Sequence, residues 1–315
     1  MSFSPSHFVS PLRYPGGKTA IANFIKLILR QNNLVNGQYV EVYAGGAGVA
    51  WSLLFEEYIQ HVFINDISKP LFAFWHSVLD DTDSLCKLVY DTPITIQERD
   101  RQKAIQLGPD NYSILELGFS TFFLNRTNRS GILKGGVIGG KAQSGKWKLD
   151  ARFNKSDLIS RIQRIARYAN RITLYNLDAS CFIENILPTL STKALIYLDP
   201  PYYHKGHELY ENYYSNSDHV KLACLISKQI KQSWIVSYDS APEIATLYRQ
   251  YRKIKYSLNY SAQIRYAGSE TMFFSKNLIL PVTKSKENYS NSGVDIFVNP
   301  VRIKLVDPTP SYRPL

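Results

Sequence analysis

An acid, two prolines and an aromatic residue stand together where a run of apolar residues ends. Asp199-Pro200-Pro201-Tyr202 directly follows the apolar residues 194–198. The Asp199 carboxylate and a backbone carbonyl next to proline can each accept one N–H of the exocyclic amino group of a flat base. Proline has no N–H and fixes φ, so the turn is stiff and its carbonyls stay free. The Tyr202 ring can stack on the base. The motif is therefore a candidate site for transfer of a group to an amino nitrogen, although Asp and Pro also favour ordinary turns.

A second group of residues has the spacing of a nucleotide site. Residues 39–44 form a β-rich apolar run, and Gly45-Gly46-Ala47-Gly48 then opens a predicted helix. A second strand is predicted at 61–65 and ends on Asp66, 20 residues after Gly46. Nucleotide-binding α/β folds place an acid for the ribose hydroxyls at this distance from the glycine turn. An NAD-dependent dehydrogenase shares these features, but that class leaves the proline motif unexplained.

The elements that must position these residues alternate between strands and helices. Further strands are predicted at 172–176, 194–198, 233–238 and 271–274, and residues 294–306 form a candidate edge strand or docked tail. This order predicts an α/β fold with a largely parallel, doubly wound, Rossmann-like sheet. The ligand of such a sheet lies at the carboxyl ends of its strands. The glycine turn and the proline motif both occupy such ends, so one shared site is expected.

Composition limits the class of protein further. The chain has 315 residues, of which 44% are hydrophobic, so it can form one large domain with an insertion, or two domains. No apolar stretch approaches the roughly 18 residues of a membrane span, and no signal peptide is recognisable, which predicts a cytoplasmic protein without membrane contact. Cys86, Cys181 and Cys224 are widely spaced and form no Cys-x-x-Cys pair. His204 and His207 have no companion ligand, so no metal is predicted.

Positive charge is concentrated in one part of the chain. The net charge is +11, and residues 125–171 hold twelve Lys or Arg against two Asp. Such a concentration is typical of a partner with a phosphate backbone, whereas a solvated basic face usually carries interspersed acids. Six glycines between residues 131 and 145 predict a loop or hairpin there. A helix is predicted at 156–169, with an apolar face that packs and an arginine side that could contact phosphates.

The alternation of strands and helices is interrupted between residues 74 and 150, which predicts an inserted module. We expect residues 1–73 and 151–283 to form the two parts of a catalytic domain around it. Residues 284–315 are expected to form a polar linker and a C-terminal tail.

Five motifs, taken in order, resemble those of the Dam-like (D12 class) DNA adenine-N6 methyltransferases, which use S-adenosylmethionine. The motifs are Leu12-Arg13-Tyr14-Pro15-Gly16-Gly17-Lys18, Glu41-Val42-Tyr43-Ala44-Gly45-Gly46-Ala47-Gly48, Ile64-Asn65-Asp66, Phe122-Phe123-Leu124-Asn125-Arg126 and the proline motif. Weaker similarity extends the resemblance over residues 11–277. It implies a Rossmann-like methyltransferase sheet with a mainly helical target-recognition module between the cofactor and catalytic motifs. It also implies S-adenosylmethionine as cofactor, no metal, and double-stranded DNA as partner.

The resemblance also implies a role for each matching residue. Catalysis is expected of Asp199, Pro200, Pro201, Tyr202 and Lys18. The expected cofactor-binding residues are Tyr14, Gly16, Gly17, Lys18, Glu41, Ala44, Gly45, Gly46, Gly48, Asp66, Asp178 and Asp199, where Asp178 is alternatively a surface turn residue. The expected DNA contacts are Asn125, Arg126, Arg129, Lys134, Lys141 and Lys205. Residues 132–140 do not match those of GATC readers, so GATC is not the predicted target. A cognate restriction enzyme or another defence-system protein is a candidate partner.

Other activities remain to be weighed against this one. Methylation of cytosine C5 needs a cysteine that follows a proline, and the residues before the three cysteines are Leu85, Ser180 and Ala223, which excludes that chemistry. An RNA adenine-N6 methyltransferase is the main alternative, because the proline motif reads the amino group and not the sugar. A non-catalytic DNA-binding protein on a degenerate methyltransferase scaffold is a further one.

Overall fold

The structure is a computed structural model that describes residues 9–13, 18–204, 214–261, 265–281, 295–298 and 301–306. Within these residues, one sheet contains nine strands in the order β3-β2-β1-β4-β5-β7-β6-β9-β8. The strands are β1 (Gly37–Glu41), β2 (Ile59–Asn65), β3 (Ile172–Tyr175), β4 (Ala194–Leu198), β5 (Ser233–Asp239), β6 (Arg252–Ser261), β7 (Arg265–Phe274), β8 (Asp295–Val298) and β9 (Val301–Val306).

The first five strands are parallel and the rest are antiparallel. β1 lies between β2 and β4, while β3 and β5 continue the two parallel wings. β7 then pairs antiparallel with β5, and β6, β9 and β8 extend the sheet. The chain runs outward from β1 through β2 to β3 and then returns to β4, so the strand order reverses between β1 and β4. The predicted doubly wound α/β sheet is confirmed, and the crevice at such a reversal is the usual ligand site.

Helices cover both faces because side chains alternate across each strand. In β4, Leu195 and Tyr197 pack into one apolar cluster and Ile196 and Leu198 pack into the other. The helices are α1 (Ala22–Gln31), α2 (Gly48–Phe55), α3 (Lys69–Asp80), α4 (Thr82–Asp91), α5 (Ile96–Leu107), α6 (Ile114–Thr127), α7 (Lys155–Ala166), α8 (Ala179–Asn185), α9 (Asn216–Gln229) and α10 (Pro242–Leu247).

Most predicted strands lie close to the observed ones, and β4 matches its predicted range fully. β6 was not among the predicted strands. Its residues alternate between buried and exposed, with Ile254 and Tyr256 buried and Lys255 exposed between them. The lysines in this segment interrupt the apolar run by which a strand is recognised in the sequence. The segment 131–145, predicted as a loop or hairpin, is a loop of turns, with one isolated bridge between Asn128 and Val137.

The segment that interrupts the alternation shares its core with the sheet. α3 starts at Lys69, where the Ser68 side chain caps it, so the expected boundary between residues 73 and 74 falls inside a helix. α6 crosses α3 closely: a Cβ on Gly118 would lie 2.5 Å from the Ala73 carbonyl oxygen. The rings of Phe74 and Phe122 stack with their centroids 5.7 Å apart. These contacts join α3 and α6 in a single apolar cluster that also contains residues of α1, α2 and the strands.

Candidate active site

Three carboxylates lie at the carboxyl ends of adjacent strands. Glu41 is the last residue of β1, Asp66 follows β2, and Asp199 follows β4. Since β1 and β4 flank the point where the strand order reverses, Glu41 and Asp199 face the crevice that such sheets use for ligands. The structure thereby brings together the glycine turn and the proline motif, as the sequence predicted.

Both oxygens of the Asp199 carboxylate are held by the protein. Ser237 Oγ on β5 donates a hydrogen bond to Oδ1 at 2.7 Å, and Lys18 Nζ lies 2.9 Å from Oδ2. Tyr197 on β4 adds a hydroxyl 2.8 Å from Ser237 Oγ. The Asp199 side chain remains 19% exposed. Because each carboxylate oxygen has two lone pairs, an oriented acceptor site is left for an incoming N–H.

Lys18 is the buried cation of this site. It begins a short 3-10 turn (Lys18–Ile21), and its side chain is only 5% exposed. Its Nζ also donates to the Tyr202 hydroxyl at 2.9 Å and lies 3.3 Å from Oε2 of Glu270 on β7. Burial alone would lower the pKa of Lys18, but Asp199 and Glu270 outweigh it and raise that pKa well above its ordinary value. Lys18 is therefore a charged ammonium wedged between two carboxylates.

The proline motif is rigid where it leaves β4. Pro200 and Pro201 are buried, and Tyr202 is 5% exposed with its hydroxyl in the lysine network. Asp239, at the end of β5, accepts hydrogen bonds from the backbone N–H groups of Tyr203 at 2.9 Å and His204 at 3.0 Å. The motif is thus clamped at both ends. Stacking of a base on Tyr202 stays a prediction, and it requires that the ring be uncovered as the base enters.

The glycine turn is bound to Asp66. Gly45 N–H donates to Asp66 Oδ2 at 2.9 Å, and Ser68 N–H donates to Oδ1 at 3.0 Å. Gly45 and Ala47 both have φ of 48°, and Trp75 Nε1 donates to the Gly45 carbonyl at 2.9 Å. Burial raises the pKa of Asp66 although both N–H groups oppose the shift. The turn is therefore fixed in shape, and the carboxylate of Asp66 keeps lone pairs for a ligand.

Glu41 is a buried carboxyl group at the same edge. Burial raises its pKa to about 8, although a hydrogen bond from Ala50 N–H at 3.1 Å opposes the rise. Ala44 and Gly46 are buried within the adjoining turn. Gly48 starts α2 close to the residue after Lys18, since a Cβ there would lie 2.2 Å from Thr19 Oγ1. The turn, the helix start and the chain after Lys18 form one packed unit.

Asp178 has a structural role that the sequence left open. It is exposed, and its side chain caps α8 by accepting a hydrogen bond from Ser180 N–H at 2.8 Å. It stands just beyond the end of β3, on the wing of the sheet that carries Asp66. A cofactor contact from Asp178 stays a prediction.

Two of the expected DNA contacts are buried. Asn125 on α6 accepts a hydrogen bond from Arg13 N–H at 2.7 Å and donates to the carbonyls of Arg13 at 2.7 Å and Gly131 at 2.9 Å. Arg126 Nε donates to the Arg152 carbonyl at 2.8 Å. Burial, and then the neighbouring arginines, lower the pKa of Arg126 to about 9. Both side chains point into the protein from the end of α6 that follows the buried phenylalanines. We therefore assign them to binding the backbone of neighbouring segments.

Three of the other expected cations, Arg129, Lys134 and Lys141, lie on an exposed loop. Asn128 Oδ1 accepts a hydrogen bond from Arg99 Nε at 2.8 Å, and its amide donates to two loop carbonyls. Gln143 donates to the carbonyls of Ile138 and Gly140 and accepts from Leu149 N–H. The loop is therefore ordered by Asn128 and Gln143 together with Arg99 of α5. Its exposed Lys and Arg residues are Arg129, Lys134, Lys141, Lys146, Lys148 and Arg152, and Trp147 beside them is 64% exposed.

Tyr14, Gly16, Gly17 and Lys205 lie outside the described residues. Over the parts of the chain that the structure covers, no three His, Cys, Asp or Glu side chains cluster as metal ligands would. In those same parts, every helix is too short or too polar to span a bilayer.

Several residues that hold the site carry no motif that predicts their role from sequence. Ser237, Tyr197, Tyr256 and Glu270 all point to the face of the sheet that Lys18 covers. The position of Glu270, directly before the strand predicted at 271–274, could have indicated its role, because an acid next to an apolar strand needs a buried partner. Asp239 is the last residue of β5 and directly follows the strand predicted at 233–238.

The sheet is doubly wound, and its strand order reverses between β1 and β4. The glycine turn, the ligand-facing carboxylates and the acid-proline-proline-tyrosine motif all lie at that reversal. This combination is typical of a Rossmann-like methyltransferase. The chain belongs to the D12 class N6 adenine-specific DNA methyltransferases, because a model of that family matches residues 14–262. Its activity class is therefore the methylation of adenine, with S-adenosylmethionine as the implied methyl donor.

Solved structures provide distant comparisons. The chain is similar to an rRNA methyltransferase from Streptomyces viridochromogenes, with 12% identity and a TM-score of 0.38 over 84% of this chain and 88% of that chain. A presumed RNA methyltransferase from Pyrococcus horikoshii gives 8% identity and a TM-score of 0.40, with 87% and 90% covered. A dimethyladenosine transferase from Plasmodium falciparum gives 10% identity and a TM-score of 0.33, with 84% of this chain and 63% of that chain covered. No curated protein matches the sequence.

Proposed function

We propose that this protein is a site-specific DNA methyltransferase that transfers a methyl group from S-adenosylmethionine to the exocyclic amino group of a flipped-out adenine in double-stranded DNA. The observation that carries the proposal is the Asp199 carboxylate. It is held on both oxygens, partly exposed, and placed beside the glycine turn at the reversal point of the sheet. An acceptor that is fixed before the substrate arrives needs no reorganisation during the reaction.

The residues around the glycine turn fit the cofactor. S-adenosylmethionine carries a positive sulfonium and a positive amino group, and Glu41 offers a buried carboxyl group whose pKa is raised by burial. Asp66 retains acceptor capacity for ribose hydroxyls. We propose that Ala44, Gly45, Gly46 and Gly48 line the cofactor, and that Tyr14, Gly16, Gly17, Lys18 and Asp178 complete its surroundings.

The reaction requires the adenine amino nitrogen to be placed correctly more than it requires that nitrogen to be activated. When bound, the cofactor supplies a methyl group on a sulfonium, which leaves as a neutral thioether. Asp199 accepts one N–H of the adenine amino group, and a carbonyl of the proline motif accepts the other. These bonds direct the nitrogen lone pair out of the ring and toward the methyl carbon. As the N–C bond forms, the nitrogen gives up one proton, which Asp199 accepts and passes to solvent.

The exposed basic loop is the proposed DNA contact. Arg129, Lys134 and Lys141 stand on a loop whose shape Asn128 and Gln143 fix, so their positions are set before DNA arrives. Flipping a base out of the duplex costs a few kcal/mol, which phosphate contacts must offset. We therefore propose residues 74–150 as the target-recognition segment and residues 1–73 and 151–283 as the catalytic part. Lys205 follows the catalytic motif and is proposed as a further contact.

Methyl transfer from labelled cofactor to DNA and to RNA tests the proposal directly. We expect label in N6-methyladenine of double-stranded DNA, and transfer to RNA alone would overturn it. Expression in a methylation-free host, followed by single-molecule sequencing, maps the target site. A target shared with a nuclease encoded nearby would identify a cognate restriction enzyme as partner.

Cofactor affinity should depend on pH through Glu41. The pKa of this group is about 8, so it is protonated near pH 7, and a cationic cofactor favours its ionised form. Affinity for S-adenosylmethionine should therefore rise with pH until about pH 8, by up to about tenfold per unit. Glu41→Gln should bind more weakly and without this pH dependence.

Isothermal titration calorimetry between pH 6 and pH 9 would measure the effect of Glu41. Glu57→Gln is a matched control, because Glu57 pairs with Arg171 at the amino end of β2, on the far edge of the sheet. An affinity of the unmodified protein that does not vary with pH would contradict the assignment of Glu41.

A further inference from the structure

Glu270 is a buried acid that the chemistry above does not use. It lies on β7 and is 1% exposed. Met272 and Phe274, two and four residues further along the strand, pack into the apolar cluster on the face of the sheet that Lys18 covers. Glu270 points to the same face because side chains alternate along a strand. A carboxylate in such surroundings is costly unless donors surround it.

Three donors converge on the Glu270 carboxylate. Tyr256 is its direct neighbour on β6, and the Tyr256 hydroxyl donates to Oε2. The Tyr202 hydroxyl, from the proline motif, donates to Oε1. Lys18 Nζ lies 3.3 Å from Oε2 and, on its other side, 2.9 Å from Asp199 Oδ2. Glu270 is thus one ammonium group away from the catalytic carboxylate.

The charges in this cluster depend on one another. Burial raises the pKa of Glu270, and the charge of Lys18 opposes that rise. In a site closed to water, removal of one member leaves the others as unpaired buried charges. A lysine paired with Asp199 alone would be drawn wholly onto that carboxylate. A second carboxylate shares the ammonium and leaves Asp199 free to accept a substrate N–H.

We propose that Glu270 is a positioning residue for methyl transfer: it holds the Lys18 ammonium between two carboxylates, and so sets the orientation and accepting strength of Asp199. This inference rests on the proposed function, because Asp199 is the acceptor in both. It assigns to β7 and β6 a part in catalysis, although neither strand lies at the point where the strand order reverses.

Glu270→Gln removes the charge while keeping the size of the side chain and one acceptor oxygen. We expect kcat for DNA methylation to fall by about a hundredfold, the scale of a small misplacement of a reacting group, with KM for DNA and cofactor within about threefold. Glu270→Asp keeps the charge and should retain more activity. Tyr256→Phe is the matched comparison, because it removes one hydrogen bond from Glu270 and no charge, and it should cost about tenfold or less.

The pH profile separates positioning from packing. Lys18 faces Asp199, Glu270, Tyr197, Tyr202 and Tyr256. Loss of the Glu270 charge removes one of the two groups that hold the proton on Lys18, so the alkaline limb of kcat should move to lower pH in Glu270→Gln. In Glu270→Asp and Tyr256→Phe, kcat should fall at an alkaline pH closer to the one at which it falls in the unmodified protein. Unfolding temperatures of all variants would be measured in parallel.

A second readout does not need the methylation reaction. NMR titration of the Lys18 side chain in the cofactor-free protein should give a lower pKa in Glu270→Gln than in the unmodified chain. Unchanged kcat in Glu270→Gln, or equal losses and equal pH limbs in the Gln and Asp variants, would overturn the inference. If the unmodified protein methylates no DNA, the proposed function fails. The titration of Lys18 would then decide whether Glu270 holds that residue.

Discussion

Asp199→Ala is expected to lower methyl transfer by about a thousandfold or more, the scale of losing a preorganised polar group at the reacting atom. The carboxylate is the proposed acceptor, and Ser237 and Lys18 hold it in place. Cofactor affinity should change little, because Glu41 and Asp66 supply the charged and polar contacts proposed for it. Asp199→Asn should be nearly as impaired, since the amide offers only one acceptor oxygen.

Single-turnover transfer from labelled cofactor, with cofactor binding measured separately, distinguishes the two effects. Ser237→Ala serves as the graded control. It frees Asp199 Oδ1 without removing the carboxylate, and should cost about tenfold, the value of one hydrogen bond to a charged group. Turnover by Asp199→Ala close to that of the unmodified protein would show that the acceptor lies elsewhere.

Replacement of Arg129, Lys134 and Lys141 with alanine is expected to weaken DNA binding by about a hundredfold at low salt. These side chains are exposed on the ordered loop, and the removal of each one that binds a phosphate should reduce the slope of log affinity against log salt by about 0.9. Arg126 is left unchanged because it is buried and holds the Arg152 carbonyl.

Fluorescence anisotropy with a DNA duplex, repeated over a range of salt, measures both quantities. The matched control is the alanine replacement of Lys221, Lys228 and Lys231, which are exposed on and just beyond α9 and carry the same total charge. If the control set changes the salt slope as much as the loop set, net charge and not the loop determines binding.

The sequence predicted the parts of the site that depend on local order along the chain. Gly46 and Asp66 are separated by the length of one helix and one strand, and Asp199 follows five apolar residues. The spacing of these residues was therefore enough to predict that they lie at the carboxyl ends of strands. Contacts that join distant segments left no such pattern. Glu270 meets Lys18 only because β7 folds back beside β5, and no local rule gives that register.

Arg126 shows the opposite error, where a local pattern suggested too much. The resemblance and the charge count place it among the cations expected to contact DNA, but it continues a helix whose preceding residues Phe122 and Phe123 are buried. A basic residue near the end of such a helix can donate to backbone carbonyls inside the protein. Exposure is a tertiary property, and composition alone cannot separate Arg126 from Arg129.

The absence of a Cβ at Gly118 constrains how this enzyme could be re-engineered. Since α6 touches the backbone of α3 at that residue, and since α3 spans the junction at residues 73 and 74, a segment from a relative cannot be transplanted there as an independent cassette. A donor helix with any larger residue at that position would push the two helices apart. The loop from Asn128 to Leu149 is held by Arg99 of α5 and Asn125 of α6 as well as by its own side chains, so an exchange of this loop has to keep both of those residues.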